Sequence, residues 1–565
     1  MSLFGSIQLA NNALRATQVG LQVVGQNMAN ANTPGYIREE VRFATGPTQR
    51  IGGLLQGTGV EVQAVIQKID AFLEERLRGS TSDRVSAEAQ EQTLEQLEGL
   101  VGELGNNDLS TSLNNFFASI NEVLNQPESV SVRNLAVLKG QTLAGDINRL
   151  ASRVDDIRRD VNERVTNIAD DVNRIIDEVR KLNIRIAQFE GGGALQSDAV
   201  GLRDQRHMLL GELSKLIDVR VQEQTSGAVN VFSGGDFLVF EGEARHVEVE
   251  LTSDRGIAVS SLHISETGAD LQATSGELAG VIQSRDQILG GFLDNLDNLA
   301  KTLAFEFNKV YSSGQGLKGY SQLTSEFAVL DPSQPLDAAG LPYTATNGSF
   351  DVQVFNRQTG LTQTTHIGVD LNGLDHDLTL TDLAAQFDAV DGITASINSA
   401  GRLTLRTDSA DQEIAFADDT SGILAALGLN TFFTGTGARS LGVSAAVVTD
   451  PSKFAASRGG VGADTEGAVE LAAFLDRPLD SQGGGSLSTL YDRFTAGLTQ
   501  DATIAKSVAE GFRTFEEGLR GQSLAITGVS LDEEAIRMIG YQQAFQASAR
   551  YIATLADLME VLVNL

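Results

Sequence analysis

The stretch NMANANTPGY, residues 27 to 36, sets four asparagines or threonines, a proline and a glycine directly behind a run with helical spacing. Upstream of it Leu3, Ile7, Ala10, Leu14, Thr17, Leu21, Val24 and Met28 recur at alternating intervals of four and three residues, the a/d seam of a coiled coil. One face of this helix requires a partner. Asn30 and Asn32 can bond backbone groups at the fraying helix end. Pro34 disfavours helical geometry at Thr33, and Pro34-Gly35 suits the two central positions of a type II turn. Local chemistry alone makes the stretch a helix stop, since Asn/Pro/Gly clusters are common turn signals.

The far end of the chain mirrors this one. Met538, Phe545, Ile552 and Met559 fall seven apart, with Tyr541, Ser548, Leu555 and Leu562 three residues beyond each. Ser530 and Glu533 have the spacing of a capping box at the start of that helix. Both termini are thus striped helices with no local partner, and pairing the two ends is the economical arrangement. A long buried core helix would carry a similar stripe.

Between them, GVEVQAVI (59 to 66) alternates as a short strand, and IDAFLEERLRGS (69 to 80) opens a long helical region. Apolar positions from Leu143 to Ile186 again alternate fours and threes, except where Ile157, Val161 and Val165 give two fours together. That stutter should relax a left-handed supercoil, and GGG at 191 to 193 should end the helix. Residues 218 to 265 are β-rich, and an amphipathic helix is expected over 276 to 311. From about 325 to 445 the chain turns rich in Thr, Gly, Asp and Asn with alternating segments such as SFDVQVF and RLTLRT, and helical character returns after about 465. The expected fold is mainly α with β insertions. Residues 1–58 and 525–565 form a terminal core domain paired as a coiled coil. Residues 59–324 and 446–524 form an elongated helical-bundle domain with a small β-rich segment near 218–265, and 325–445 an inserted β-rich outer domain.

With 565 residues and 41% hydrophobic content the chain can bury several cores. A net charge of −32, from 42 basic and 74 acidic residues, repels nucleic acid and anionic lipid, so neither partner is expected. Cysteine and tryptophan are both absent from the sequence, which excludes disulfides and thiolate chemistry. The first residues lack the basic start and unbroken apolar block of a cleavable signal peptide, and no apolar run reaches membrane-spanning length. The chain is expected to be either cytoplasmic or exported by a route that reads no such signal.

An enzyme reading finds little support. The five histidines (His207, His246, His263, His366 and His376) are scattered, with no His-Glu-x-x-His and no i, i+4 pair. Paired acids such as Asp155-Asp156 and Asp170-Asp171 fall off the apolar seam and read as solvated faces. DLNGLDHD (370 to 377) hints at a calcium loop, yet its glycine stands fourth rather than sixth. SQGGGS (481 to 486) reads as a loop, because no Lys-Ser/Thr follows it. No catalytic, metal or cofactor residue is expected, and no cofactor.

Asn27, Ala29, Asn30, Thr33, Pro34, Gly35 and Tyr36 match the N-x-A-N-x-x-T-P-G-Y signature of the bacterial flagellar axial proteins, the rod, hook and hook-associated components. Further stretches resemble the hook-filament junction members of that family: GYIREEV (35 to 41), IDAFLEERLR (69 to 78), LRDQRHMLLGELSKLIDVRV (202 to 221), ELAGVIQSRDQIL (277 to 289) and GVSLDEEAI (528 to 536). YQQAFQASARYIATL (541 to 555) is similar to C-terminal segments of hook and hook-associated proteins. His207 departs from the acidic residue expected in its segment. The resemblance implies that the terminal helices pair as a coiled coil lining a tube, with Leu3, Ile7, Ala10, Leu14, Leu21, Val24 and Met28 as the N-terminal seam. Met538, Tyr541, Phe545, Ile552, Leu555, Met559 and Leu562 would form the C-terminal seam, shared with an export chaperone. It further implies self-assembly beside hook protein and an adjacent hook-associated protein, and export to the flagellum by the type III route without a cleaved signal. A hook-type subunit, or a secreted acidic adhesin or effector acting through the β insert, is the alternative.

Overall fold

The computed structural model describes residues 3–51, 54–102, 108–190, 197–374, 376–462 and 464–563. The side chains of Leu3 and Leu562, two expected seam positions, lie outside the described residues, as does the GGG at 191 to 193.

Helix α1 (Leu3–Ala29) ends where the asparagine-rich stretch begins. Strands β1 (Glu39–Thr45) and β4 (Val60–Gln67) pair antiparallel, and the hairpin β2 (Thr48–Ile51) and β3 (Leu54–Gly57) lies between them in sequence. Four helices follow: α2 (Ala71–Gly102), α3 (Leu109–Asn125), the 61-residue α4 (Val130–Glu190) and α5 (Val200–Leu216). Strands β5 (Arg220–Glu223), β6 (Val229–Ser233), β7 (Asp236–Phe240) and β8 (Glu243–Ala244) form a meander, and β9 (Val247–Asp254) and β10 (Ile257–Ile264) a separate hairpin. Helix α6 (Gly276–Gln283) passes through a π-helical turn, Ser284–Leu289, into α7 (Gly290–Tyr311). The region 322 to 443 holds β11 (Gln322–Thr324), β12 (Gly348–Asn356), β13 (Leu361–Val369), α8 (Leu380–Asp388), β14 (Ile393–Ile397), β15 (Leu403–Thr407), β16 (Gln412–Ala417), α9 (Ile423–Leu427), β17 (Phe433–Thr434) and β18 (Gly442–Val443). Its two larger sheets have the orders β11-β15-β14 and β13-β12-β16. Helices α10 (Ala445–Thr449), α11 (Glu466–Ala472), α12 (Leu487–Thr527) and α13 (Leu531–Val563) complete the chain. The fold is mainly α with β insertions.

The helix expected over 276 to 311 is continuous in path but not in hydrogen bonding. Its π turn carries Arg285, a buried guanidinium that donates to Asn162 Oδ1 at 2.8 Å and to the Ser260 carbonyl at 2.6 Å. The wider turn is the local adjustment that accompanies this contact. Along α4 every apolar stripe position from Leu143 to Ile186 is buried except Ile157, including Val161 and Val165 at the stutter.

The chain folds into two compact units. One comprises Met1–Gln92, Arg159–Arg285 and Ile504–Leu565, and the other Thr93–Arg158 and Asp286–Thr503. The core of the second is aromatic. Phe116 stacks on Phe432 at 5.4 Å, Phe307 meets Phe433 edge-on at 5.3 Å, and Phe474 and Tyr311 close the cluster around Phe307. Helix α4 approaches so closely that a Cβ on Gly140 would stand 2.5 Å from the Phe432 ring, so no other residue fits there. Asp155 is not part of a solvated face as its sequence position suggested. It is buried, and Arg439 grips both its oxygens at 2.5 and 2.6 Å, which makes the burial tolerable. Asp156, Asp170 and Asp171 are exposed.

In the first unit α1 and α13 lie against each other. Gly20 meets the Tyr541 ring so closely that an added Cβ would fall 2.8 Å from it, and Asn27 bonds to Glu534. Seven residues separate the contact points on each helix and the order reverses, so the two helices run antiparallel. Glu534, Met538, Tyr541, Phe545, Ser548, Ile552, Leu555 and Met559 are buried or half-buried at the intervals of four and three that one covered helix face requires. Helix α2 is clamped to α12 by ions. Arg84 pairs with Glu516 at 2.6 Å, and Arg513 reaches Glu88 at 2.7 Å and Glu91 at 2.6 Å.

Candidate functional site

The asparagine-rich stretch closes α1 as its chemistry demands. Asn30 Nδ2 donates to the Gln26 carbonyl at 3.0 Å, Thr33 N–H to the Asn30 carbonyl at 2.9 Å, and Tyr36 N–H to the Thr33 carbonyl at 3.2 Å. Pro34 and Gly35 occupy the middle of that last turn, and Gly35 takes φ +76°, a conformation that disfavours other side chains. Space excludes them too, because a Cβ on Gly35 would stand 2.3 Å from Met208 Sδ of α5. Ala29, Asn32, Thr33, Pro34 and Gly35 are otherwise exposed.

Asn27 faces inward. Its Nδ2 donates to the Glu39 carbonyl at 3.0 Å and to Glu534 Oε2 at 3.1 Å, and its Oδ1 accepts from Glu39 N–H at 2.9 Å and Tyr36 OH at 2.8 Å. Those four bonds exhaust the capacity of an amide side chain, and Asn27 is 1% exposed. Aspartate would lose both donors and set a second carboxylate against Glu534. Glu534 is itself fully buried, and its Oε1 accepts from Arg38 Nε at 2.9 Å and Nη2 at 2.6 Å. Arg38 Nη2 also reaches Glu533 at 2.9 Å, while the Arg38 N–H bonds the Thr527 carbonyl at the end of α12. The expected capping box is therefore half made. Ser530 Oγ accepts from Glu533 N–H at 3.5 Å, but the Glu533 carboxylate turns to Arg38.

A second layer lies behind the first. Burial, then the negative charge of Asp204, pushes the Glu39 carboxyl up to about 7, against a smaller opposing hydrogen bond with Tyr36. Burial likewise raises Asp204 to about 6, although the Ile37 N–H and Gln67 Nε2, the latter at 2.5 Å, donate to it. Next to them His207 sits 3.3 Å from Glu74. Burial disfavours ionised Glu74, yet hydrogen bonds from His207 and Ser523 hold its carboxyl below the usual range. The residue that departs from the family pattern thus bridges α5 to α2, which Ser523 ties to α12.

The N-terminal seam divides between two neighbours. Ala10 and Val24 are buried, Ile7, Leu14, Leu21 and Met28 half-buried. Ala16, Gly20 and Val23, off that seam, are buried as well, because α1 is covered by α13 and also by the β1–β4 ribbon, where Asn12 Nδ2 donates to the Thr58 carbonyl at 3.0 Å. Sequence reasoning missed Arg38, Glu39, Asp204 and Glu534. One signal was available for Glu534: seven residues before Tyr541, it puts a charge on the apolar stripe. The opposite face of α13 was missed too, with Ile536 at 71% and Ile539 at 53% exposed and Leu558 and Val561 also open. Among the described residues no three His, Cys, Asp or Glu side chains are placed to hold a metal ion, and no helix is long and apolar enough to cross a membrane.

Removing Arg38 leaves a buried carboxylate without its cation. Arg38→Ala should loosen α1 and α13 by about 3–5 kcal/mol, and Arg38→Met with Glu534→Leu should recover most of that. Hydrogen exchange of the two helices is the measurement, and unchanged protection in Arg38→Ala would remove the pair from this role. The raised carboxyls give a pH dependence of definite sign. The folded state keeps protons that the unfolded chain has already released, so their contribution is full below the ordinary glutamate range and is lost as pH rises through about 7. Glu39→Gln should flatten the stability profile between pH 5 and 8 and stabilise the unit at the upper end by on the order of 1–2 kcal/mol. A wild-type profile that is already flat there, by denaturant titration at each pH, would contradict the assignment.

The family described as Flagellar hook-associated protein FlgK helical domain matches residues 94–327, and Flagellar basal body rod FlgEFG protein C-terminal matches residues 520–565, the segment that supplies Glu534. The chain is 28% identical over 349 residues to flagellar hook-associated protein 1 of Bacillus subtilis, covering 55% of this chain and 68% of that protein. It is 24% identical over 584 residues to the Escherichia coli protein of that name and 22% over 568 to that of Salmonella typhimurium, with 99% of each chain covered in both cases. The solved flagellar hook junction protein FlgK of Burkholderia pseudomallei shares the fold, with a TM-score of 0.50 at 14% identity over 80% of this chain and 100% of that one. Full-length similarity, two matched families and a shared fold agree with the signature that Asn27 anchors: along its whole length the chain is similar to flagellar hook-associated protein 1.

Proposed function

We propose that this chain is a structural subunit of the bacterial flagellum that forms the junction between hook and filament. The observation that carries the reading is the Asn27 and Arg38 contact with Glu534, which ties the axial signature to the last helix of the chain. Its function is assembly, not catalysis. The antiparallel α1 and α13 act as the coiled-coil core of residues 1–58 and 525–565. Residues 59–324 and 446–524 act as the helical domain and 325–445 as an outer domain. Copies of the chain pack side by side through the open stripe of α13, with hook protein below and the adjacent hook-associated protein above. Each exposed Ile or Leu of that stripe gains about 1.5–3 kcal/mol when a neighbour covers it, enough together to favour assembly. The chain reaches the flagellum outside the cell by the flagellar type III route without a cleaved signal.

A cell lacking this protein should make hooks without filaments and lose flagellin to the medium. Normal filaments in that strain would exclude the junction role, and missing hooks would point to a hook-type subunit.

Before assembly, the covered face of α13 serves as the handle for an export chaperone. Met538 and Met559 make it adaptable to two partners in turn, the chaperone first and α1 afterwards. Phe545→Asp with Ile552→Asp should therefore abolish both chaperone capture and polymerisation while the melting of the second unit stays unchanged. Undiminished chaperone affinity by calorimetry would move the handle off α13.

A further inference from the structure

Two Asn-Gly dipeptides occur in the sequence, Asn347-Gly348 and Asn372-Gly373. An asparagine before glycine can be attacked by the next backbone nitrogen, since glycine has no Cβ to hinder the approach. The structure treats the two very differently. At Asn372 the Leu374 N–H donates to Asn372 Oδ1 at 2.7 Å, closing a ring that contains the Gly373 nitrogen and folds the side-chain carbonyl back toward it. The same hydrogen bond polarises that carbonyl and stands ready to stabilise an oxyanion. The Gly373 N–H, whose nitrogen would attack, donates to Asp377 Oδ1 at 3.0 Å, and this oxygen also accepts from the Asn372 N–H at 3.1 Å. Gly373 has φ +71°, and Asn372, Gly373 and Leu374 are exposed to water. A nucleophile, a carboxylate base on its proton and a polarised electrophile are thus collected in one turn.

Asn347 has none of this. Its Oδ1 accepts from the distant Leu371 N–H at 3.1 Å, and Gly348 is the first residue of β12, paired with Val369. A Cβ on Gly348 would meet Thr420 Oγ1 at 2.8 Å, so that backbone is held tightly in place.

We propose that Asn372 is a self-catalysed deamidation site, assisted by Asp377. The Gly373 nitrogen adds to Asn372 Cγ as its proton passes to Asp377. The tetrahedral centre then expels the amide nitrogen as ammonia, which takes that proton back. The product is a five-membered succinimide, and water opens it at either carbonyl to leave aspartate or isoaspartate. One C–N bond forms and one breaks in the first step, water enters in the second, and nothing is oxidised or reduced. Each conversion adds a negative charge beside Asp370 and Asp377, and the isoaspartate form lengthens the backbone by one methylene. The loop thereby records the age of each copy, independently of where the chain is assembled.

The test is to incubate the full-length chain at neutral pH and physiological temperature and follow Asn372 and Asn347 by peptide mass mapping, with isoaspartyl methylation as a second readout. Asn372 should convert at least about tenfold faster than Asn347, and Asp377→Asn should slow it by at least about tenfold. Asn372→Gln should end it, with circular dichroism showing that both variants keep the fold. Equal rates at the two asparagines would overturn the proposal. An unchanged or faster rate in Asp377→Asn would overturn it as well, since the carboxylate would then be holding the loop still rather than taking the proton.

Discussion

The Glu534 carboxylate is held out of water, and only one arrangement makes that tolerable. Taking such an ion into the protein costs several kcal/mol, which is offset only by a well-placed cation and by donors on its remaining lone pairs. Arg38 supplies the first and Asn27 the second. Helix α13 can therefore begin where it does only when the segment after α1 has folded back on itself. The Arg38–Glu534 ion pair, with Glu533 beside it, joins the two ends of the chain across a sequence separation of 496 residues. That separation costs little, because loop-closure entropy grows only as the logarithm of length and the intervening segments fold in their own right.

The same contact sets register. A seam of Ala, Val, Leu and Ile could slide by a heptad with modest loss, since each apolar position resembles the next. Asn27 opposite Glu534 and Gly20 opposite Tyr541 cannot slide: moving either helix by two turns would strand a buried charge and drive an aromatic ring into a helix backbone. Around this fixed point the remaining elements are placed by short reach. Gly35 lets the turn lie on Met208 of α5, Gln67 of β4 bonds Asp204, and Lys68 N–H bonds the Arg38 carbonyl at 2.8 Å. The signature stretch is thus a helix stop that also addresses β1 and α13 through Asn27 and α5 through the close approach at Gly35.

What was legible in the sequence follows from what is periodic. The stripe through Met538, Tyr541, Phe545, Ile552, Leu555 and Met559 is the covered face of α13, because one neighbour covers it and a single face has a single period. On α1 the same reasoning gave half the answer. Two neighbours cover that helix, and a close approach to α13 falls at Gly20, which a search for large apolar residues passes over. The Arg38–Glu534 pair, the grip of Arg439 on Asp155 and the π turn at 284 to 289 have no local signature, since each depends on a residue distant in the chain. Composition and alternation did separate helical from β-rich regions, as the two sheets built from β11 to β16 illustrate.

Helix α13 has two apolar faces with unequal standing. Against α1 the covered face is held in one register by polar contacts, whereas the open face, through Ile536, Ile539, Leu558 and Val561, exposes apolar side chains among polar ones such as Gln543 and Arg550. Apolar contact is non-directional and roughly proportional to area, so it suits an interface repeated between copies where small angular differences must be absorbed. Buried hydrogen-bonded charge is directional and fails sharply when displaced. Within the proposed assembly the division of labour is physical: the charge pair fixes the shape of each subunit before packing begins. The open stripe then joins subunits without disturbing it, because it lies on the face of α13 turned away from Glu534 and Tyr541.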